Sequence, residues 1–225
     1  MASLVHHVIN GNTFWLLSQK AVFWEERKAV ILSDLHLGKT GHFRKEGVPV
    51  PQAVYKDDLH RLFHIIQHYK PEQVIIAGDM FHSRMNREVD LFTRWRRDIA
   101  QLHILLVRGN HDILHDEHYR EAGIALAEGS VTIDGFCFVH DINDISNAGE
   151  PAANNHQPYY FSGHVHPGIV LKSGSRQSVC LPCYYFGNTY AVLPAFSAFT
   201  GMYPITPKKR DSIFAILKDS VMKVG

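Results

Sequence analysis

Five polar clusters in this chain carry residue types that could do chemistry: Asp34-Leu35-His36, Gly78-Asp79, Gly109-Asn110-His111-Asp112, His140, and Gly163-His164-Val165-His166. In an extended segment residues i and i+2 point the same way, so Asp34 with His36, and His164 with His166, are each expected to present two donor atoms to one place. Two carboxylates (Asp34, Asp79), four imidazoles (His36, His140, His164, His166) and one amide oxygen (Asn110) make seven ligands. That is more than one ion takes from protein, and it matches two ions sharing a bridging carboxylate. Nitrogen and oxygen donors with no thiolate suit manganese, iron, zinc or nickel.

A single histidine says little in a chain with 16 of them. The ordered set says more. Each cluster follows a strand-like segment, and Gly78, Gly109 and Gly163 allow the backbone to turn tightly beside the ligands.

The elements that must position these residues can be read from periodicity. Ala29–Leu32, Val74–Ala77 and Ile104–Val107 are short continuous apolar runs, each ending in polar residues or glycine, as expected of strands buried on both faces. Between them, Gln52–Tyr69 and Val89–Leu102 repeat apolar residues at helical spacing. This is the βαβ alternation of a parallel sheet, whose strand ends should converge on one ligand-binding edge. Leu4–Ile9, Phe14–Leu17 and Ala21–Trp24 read as a small meander before it. After it, Val131–His140, Tyr159–Ser162, Ile169–Leu171, Ser178–Phe186, Tyr190–Leu193 and Ser212–Leu217 read as strands, with no clear helix pattern. Asp141–Pro158, polar and rich in Asn, reads as a long loop of the kind that is either functional or disordered.

The chain has 225 residues, 45% hydrophobic and 20% charged, which fits one domain spanning 1–225. With 23 basic and 22 acidic side chains, no global field selects nucleic acid, membrane or acidic partners, so charge recognition must be local. The first eleven residues lack the basic region and cleavage site of a signal peptide, and no apolar run approaches the roughly 20 residues that span a bilayer. A cytoplasmic protein with no membrane partner is expected. Three cysteines suit a reducing compartment, and the Cys180/Cys183 pair, with no second pair, is read as packing rather than a zinc or redox site.

The order D-x-H, G-D, G-N-H-D, H, G-H-x-H resembles the calcineurin-like metallophosphoesterase superfamily over most of the chain. Further stretches resemble the bacterial ligase-associated DNA damage response endonuclease group: Ser33 to Lys39, His42-Phe43-Arg44-Lys45, Gly78 to Ser83, Trp95-Arg96, Leu193-Pro194-Ala195-Phe196 and Phe199-Thr200-Gly201. The resemblance implies a four-layer α/β/β/α sandwich with two mixed sheets flanked by helices. It also implies that Asp34, His36 and His166 hold one metal, that Asn110, His140 and His164 hold the other, and that Asp79 bridges them. Manganese is the metal it favours, and His111 is its catalytic, non-ligand histidine. The superfamily often has an acidic residue three positions after the bridging Asp. Here that position is His82, as in the G-D-x-F-H of Mre11-like nucleases, and His82 is grouped with His111 as catalytic. Asp112 is read as a turn residue or a support behind the ligands.

Two divalent ions against two carboxylates leave a charge of about +2, which attracts phosphate and lowers the pKa of a bound water toward neutrality. A protonated His111 would give its proton to the leaving oxygen. Lys39, His42, Arg44 and Lys45 follow the first cluster and Arg84 and Arg87 the second. Arg44, Lys45, Arg84 and Arg87 are accordingly expected to contact a phosphodiester substrate, with DNA favoured. Arg87, Arg94 and Arg97 also share one flank of their helix. Hydrolysis of small nucleotides is the alternative enzyme, and a non-catalytic scaffold with decayed ligands is the alternative from another class.

Overall fold

The computed structural model describes residues 5–47, 53–82, 85–147, 157–172 and 177–224. Among them, seven strands form a first sheet in sequence order: β1 (Val5–Ile9), β2 (Asn12–Leu16), β3 (Val22–Trp24), β4 (Ala29–Leu32), β5 (Gln73–Ala77), β6 (His103–Val107) and β7 (Ile124–Ala127). The meander β1 to β4 is antiparallel and β4 to β7 is parallel, so the sheet is mixed. Helices α1 (Lys39–Lys45) and α2 (Ala53–Tyr69) follow β4, α3 (Arg87–Asp98) follows β5, and α4 (Asp116–Glu121) follows β6.

β4 alternates faces, as period two requires. Val30 and Leu32 pack with Leu62 and Ile65 of α2, Val89 and Phe92 of α3, and Tyr119 of α4. Ala29 and Ile31 turn the other way, into an aromatic layer made of Phe14, Trp24, Phe136, Phe138, Phe161, Tyr184, Phe186 and Phe214. That layer belongs to both sheets. The second sheet, also mixed, runs β14 (Tyr203–Pro204), β11 (Pro167–Lys172), β12 (Ser178–Phe186), β13 (Tyr190–Val192), β10 (Tyr159–Ser162), β9 (Phe136–Val139), β8 (Ser130–Ile133), with β15 (Ser212–Ile216) and β16 (Val221–Lys223) added beside β12. The architecture is the expected α/β fold of two mixed sheets with flanking helices. On the outer side of the second sheet the helical layer is thin: among the described residues it is a 3-10 helix, Ile142–Asn147, whose Ile142 packs on Cys137, Val139 and Tyr160.

Several local expectations change. Val131–His140 is a hairpin rather than one strand, because Asp134 (φ 48°) and Gly135 (φ 81°) both take the left-handed backbone that a tight two-residue turn needs. The helix expected to reach Leu102 ends at Asp98. Ile99 and Leu102 are still buried, and the Arg96 guanidinium donates to the carbonyl oxygens of Ile99 and Leu102 just past that end and to that of Gly123 after α4. The short elements α1, α4 and β7 had not been expected. Part of Asp141–Pro158 lies outside the described residues.

Candidate active site

Register brings the ligand-bearing loops together. Leu32 of β4 pairs with Ile76 of β5, and Ala77 of β5 with Val107 of β6, so residues 33–36, 78–82 and 108–112 leave the sheet side by side. In the second sheet, parallel β9 and β10 likewise deliver His140 and Gly163-His164 to one edge. Backbone bonds stitch these loops: the amides of Asp34, His36 and Leu37 donate to Gly78, Asp79 and Met80, and the His82 amide donates back to Leu37. Ala195 bridges Ser33, and the Phe196 and Ser197 amides donate to Ser33 and Asp34, so the Leu193 to Phe196 motif braces the first ligand loop.

The ligand pairs do not converge by strand alternation, as the i, i+2 reading held. Asp34, His36, Asp79, His164 and His166 all have left-handed backbone, with φ between 48° and 64°. Such residues are uncommon outside glycine, with Asp and His among the types that tolerate the region best. The strain, of order 1–3 kcal/mol for each, persists where the surroundings over-determine it, which is typical of functional sites.

Two groups of ligand atoms result, each with its atoms within 4.8 Å of one another: Asp34, His36 and His166, and Asp79, His140 and His164. Asn110 joins the second group, its Oδ1 lying 2.9 Å from His140 Nε2. His140 Nε2 is 3.1 Å from His164 Nδ1 and 3.5 Å from Asp79 Oδ1. His166 Nε2 sits 3.1 Å from Asp34 Oδ1 without hydrogen-bond alignment. The seven residues are thus brought together in two groups, with Asp79 in the second.

These residues fit divalent ions. Buried polar atoms are normally hydrogen-bonded, yet both ring nitrogens of His36 and Nε2 of His166 are buried without such a partner. Burial pushes the His36 pKa down to about 2, against the pull of Asp34, so its lone pair is available to a cation. Burial would raise Asp34, but the contact with His166 and the nearby imidazoles outweigh it and leave the carboxyl below its ordinary value. Asp79 is raised, chiefly by burial.

His111 and His82 stand beside these groups. Their rings are 4.4 Å apart at 32°, and the two lie 5.5 Å and 5.1 Å from the His36 ring. The His111 amide donates to Asp79 Oδ1 (2.9 Å), which fixes the backbone of one to the carboxylate of the other. Burial, then the charges of His111, Lys39 and His42, push His82 down to about 4. Phe43 of α1 stacks on His82 at 6.4 Å.

Asp112 supports the loops from behind, accepting from the amides of Phe81 (2.8 Å) and Gly109 (2.9 Å). Burial raises its pKa to about 6. The sequence reading missed Asp141, whose Oδ2 lies 3.8 Å from His164 Nε2, beyond hydrogen-bond distance but close enough to bear on its charge. Its signal was adjacency to His140. The basic residues divide. Arg87 is exposed on α3 with Arg94 and Arg97, whereas Arg44 pairs with the buried Glu88 at 2.9 Å. Arg84 and the side chain of Lys45 lie outside the described residues. Cys183 is buried with its thiol pushed up to about 12, consistent with packing. A cavity of about 850 Å³ between α2, α3 and the start of β6 contains none of the candidate ligands.

No functionally curated protein matches the sequence. The crystal structure of nuclease MPE from Pseudomonas putida is similar at a TM-score of 0.79 and 26% identity, covering 99% of this chain and 100% of that one. The calcineurin-like phosphoesterase family model matches residues 27–151, more than half of the chain and including Asp34, His36, Asp79, Asn110, His111 and His140. With two Asp/His groups that could hold metal ions, the chain belongs to the calcineurin-like phosphoesterases and is a metal-dependent hydrolase of phosphoester bonds.

Proposed function

We propose that this chain is a single-domain dinuclear phosphodiesterase acting on nucleic acid, with DNA as its substrate in a repair-associated endonuclease role. The observation that carries the reading is the pair of ligand groups, Asp34/His36/His166 and Asp79/His140/His164 with Asn110, set beside a histidine that belongs to neither. Asp79 would be the carboxylate shared by the two ions. When bound, the ions supply Lewis acidity toward the phosphoryl oxygens and activate the attacking water.

The chain's own residues do the rest. His111, held by its amide on Asp79, presents its ring at the edge of the ligand groups and donates a proton to the leaving oxygen. His82 packs against His111 and, neutral at pH 7, orients that ring without competing for its charge. Arg87, with Lys45 and Arg84, meets the phosphate backbone. The resemblance favours manganese, and cytoplasmic residence goes with the three free cysteines. Among the described residues no helix is long and apolar enough to cross a membrane. The nuclease activity named for the Pseudomonas putida protein supports the substrate class.

The test is to assay manganese-loaded protein on bis-p-nitrophenyl phosphate, p-nitrophenyl phosphate, cyclic nucleotides, and single-stranded and duplex DNA. Cleavage of DNA and the diester over the monoester is expected. Efficient turnover of cyclic nucleotides with no DNA binding or cleavage at low salt would replace this reading with a small-nucleotide esterase.

A further inference from the structure

On the outer side of the second sheet, a cavity of about 350 Å³ shares its walls with the metal-binding loops. Val165, which lines it, stands between His164 and His166. Ile142, on another wall, follows Asp141, the carboxylate beside His164. Tyr203, on a third, donates its amide to the His166 carbonyl oxygen at 2.9 Å. The cavity wall and the ligand groups are thus tied by direct chain neighbours and one backbone hydrogen bond.

The lining has a specific chemistry. Tyr185 and Tyr190 stack at 5.5 Å with their hydroxyls 3.4 Å apart, so flat aromatic surface and polar edges face the same space. Tyr203 is 66% exposed at the rim, an aromatic ring that the fold itself does not bury. Lys208 adds a positive charge to the lining. The volume is within the range of small-ligand sites, roughly 300–1,000 Å³. A planar, polar-edged aromatic group carrying a phosphate matches all four features, because every base offers a π-face to tyrosine and hydrogen-bonding groups at its edge.

We infer that this cavity is a nucleobase subsite, taking the base of the nucleotide whose phosphate is at the ligand groups. The inference rests on the phosphodiesterase reading and names where that substrate's base goes.

The experiment compares thymidine 5′-(4-nitrophenyl phosphate) with 2-deoxyribose 5-(4-nitrophenyl phosphate), which differ only in the base. The base should raise kcat/KM by roughly 5- to 150-fold, the range of base–aromatic stacking. Tyr203→Ala should collapse that ratio toward one and Tyr203→Trp should restore it. Calorimetry with thymidine 5′-monophosphate and 2-deoxyribose 5-phosphate gives a readout independent of turnover, and Tyr203→Ala should weaken only the first. Tyr203 is exposed at a two-residue strand, so its variants should fold, which thermal melting checks. A wild-type ratio near one in both rate and affinity, or a ratio unmoved by Tyr203→Ala, overturns the subsite and leaves the phosphodiesterase reading standing. Absence of all diester turnover overturns that reading, and the binding comparison then decides the subsite alone. An oligothymidylate with one abasic residue beside the cleaved phosphate separates the two sources of base. Loss of cleavage at that position assigns the subsite to nucleic acid, and a preference confined to the mononucleotide ester assigns it to free nucleotides.

Discussion

Gly109 and Asp79 are packed so closely that a β-carbon on Gly109 would lie 2.2 Å from Asp79 Oδ1 and 2.4 Å from the Asp79 backbone nitrogen. The same crowding recurs at Gly163, whose β-carbon would lie 2.5 Å from Asp34 Oδ2. Both carboxylates of the site are therefore seated against bare backbone, and the glycines are there for closeness of approach rather than for a left-handed turn.

Gly109→Ala should consequently displace Asp79. A misplacement of about 1 Å can cost on the order of 100-fold in rate, and overpacking costs roughly 1–3 kcal/mol of stability. Metal content, thermal melting and diester turnover measured together check this. Wild-type metal content and turnover in Gly109→Ala would mean that the contact with Asp79 is loose.

Removing ligands acts more directly. Asp79→Asn keeps the shape of the side chain but takes away the charge shared by the second ligand group, and His164→Ala removes one imidazole from it. Both should lose bound manganese by elemental analysis and abolish turnover. Undiminished activity in a demetallated variant would end the two-metal account.

His111→Ala separates binding from chemistry. It should retain its metals and lose roughly 10²- to 10⁴-fold in turnover, the usual contribution of a general acid. The loss should be smaller for p-nitrophenolate, which needs little protonation on leaving. A defect of equal size for every leaving group would assign His111 an electrostatic role instead.

Much of this site was legible because its signals are local in sequence. Each ligand follows an apolar run, and parallel register then carries the runs to one edge, so Asp34, Asp79, Asn110 and His140 could be placed without coordinates. The backbone conformation of Asp34 and His36 was not legible, since it goes with hydrogen bonds that their amides donate to the carbonyl oxygens of Gly78 and Asp79, far along the chain. The Asp134-Gly135 turn was legible and was overlooked within an apolar run. Short elements such as α4 have too few turns to show a period. Arg44 was expected at the substrate from its position, and nothing in the sequence shows that it also pairs with Glu88.

Lys20 offers a test by pH. Burial, then the charge of Arg61, push its pKa down to about 8, while Asp58 opposes, and its Nζ donates to the Ser197 carbonyl oxygen at 3.4 Å. Below pH 8 the ammonium is charged in both folded and unfolded chains, and the folded state bears the full cost of burying it. Between about 8 and 10.5 the folded chain has released the proton and the unfolded chain has not, so stability attributable to this group rises with pH. Lys20→Met should therefore stabilise the protein at pH 7, by roughly 1–3 kcal/mol, and the gain should fade toward pH 10.5. Denaturant melts of both proteins across that range measure it, and a pH-independent difference would place the ammonium in solvent.

The last test concerns DNA, and the structure decides which residues belong in it. Glu88 is buried and accepts from both Arg44 and Thr40, so Arg44→Ala would take the charge partner from a buried carboxylate and destabilise the fold. A loss of DNA binding in that variant would report damage to the α1–α3 contact as much as a missing phosphate contact. Arg87, exposed at the start of α3, gives the cleaner probe, and Lys45 and Arg84 join it from their places in the sequence. If these three neutralise phosphates, affinity should fall steeply with salt, because each contact releases counterions. The triple alanine variant should bind DNA more weakly and show a shallower plot of log affinity against log salt, by about 0.9 for each contact removed on duplex DNA. Its cleavage of DNA should fall by a larger factor than its hydrolysis of bis-p-nitrophenyl phosphate, which has no backbone for the arginines to follow. Equal losses on both substrates would place these residues with the metal site instead, and an unchanged salt slope would mean that DNA does not contact these three residues.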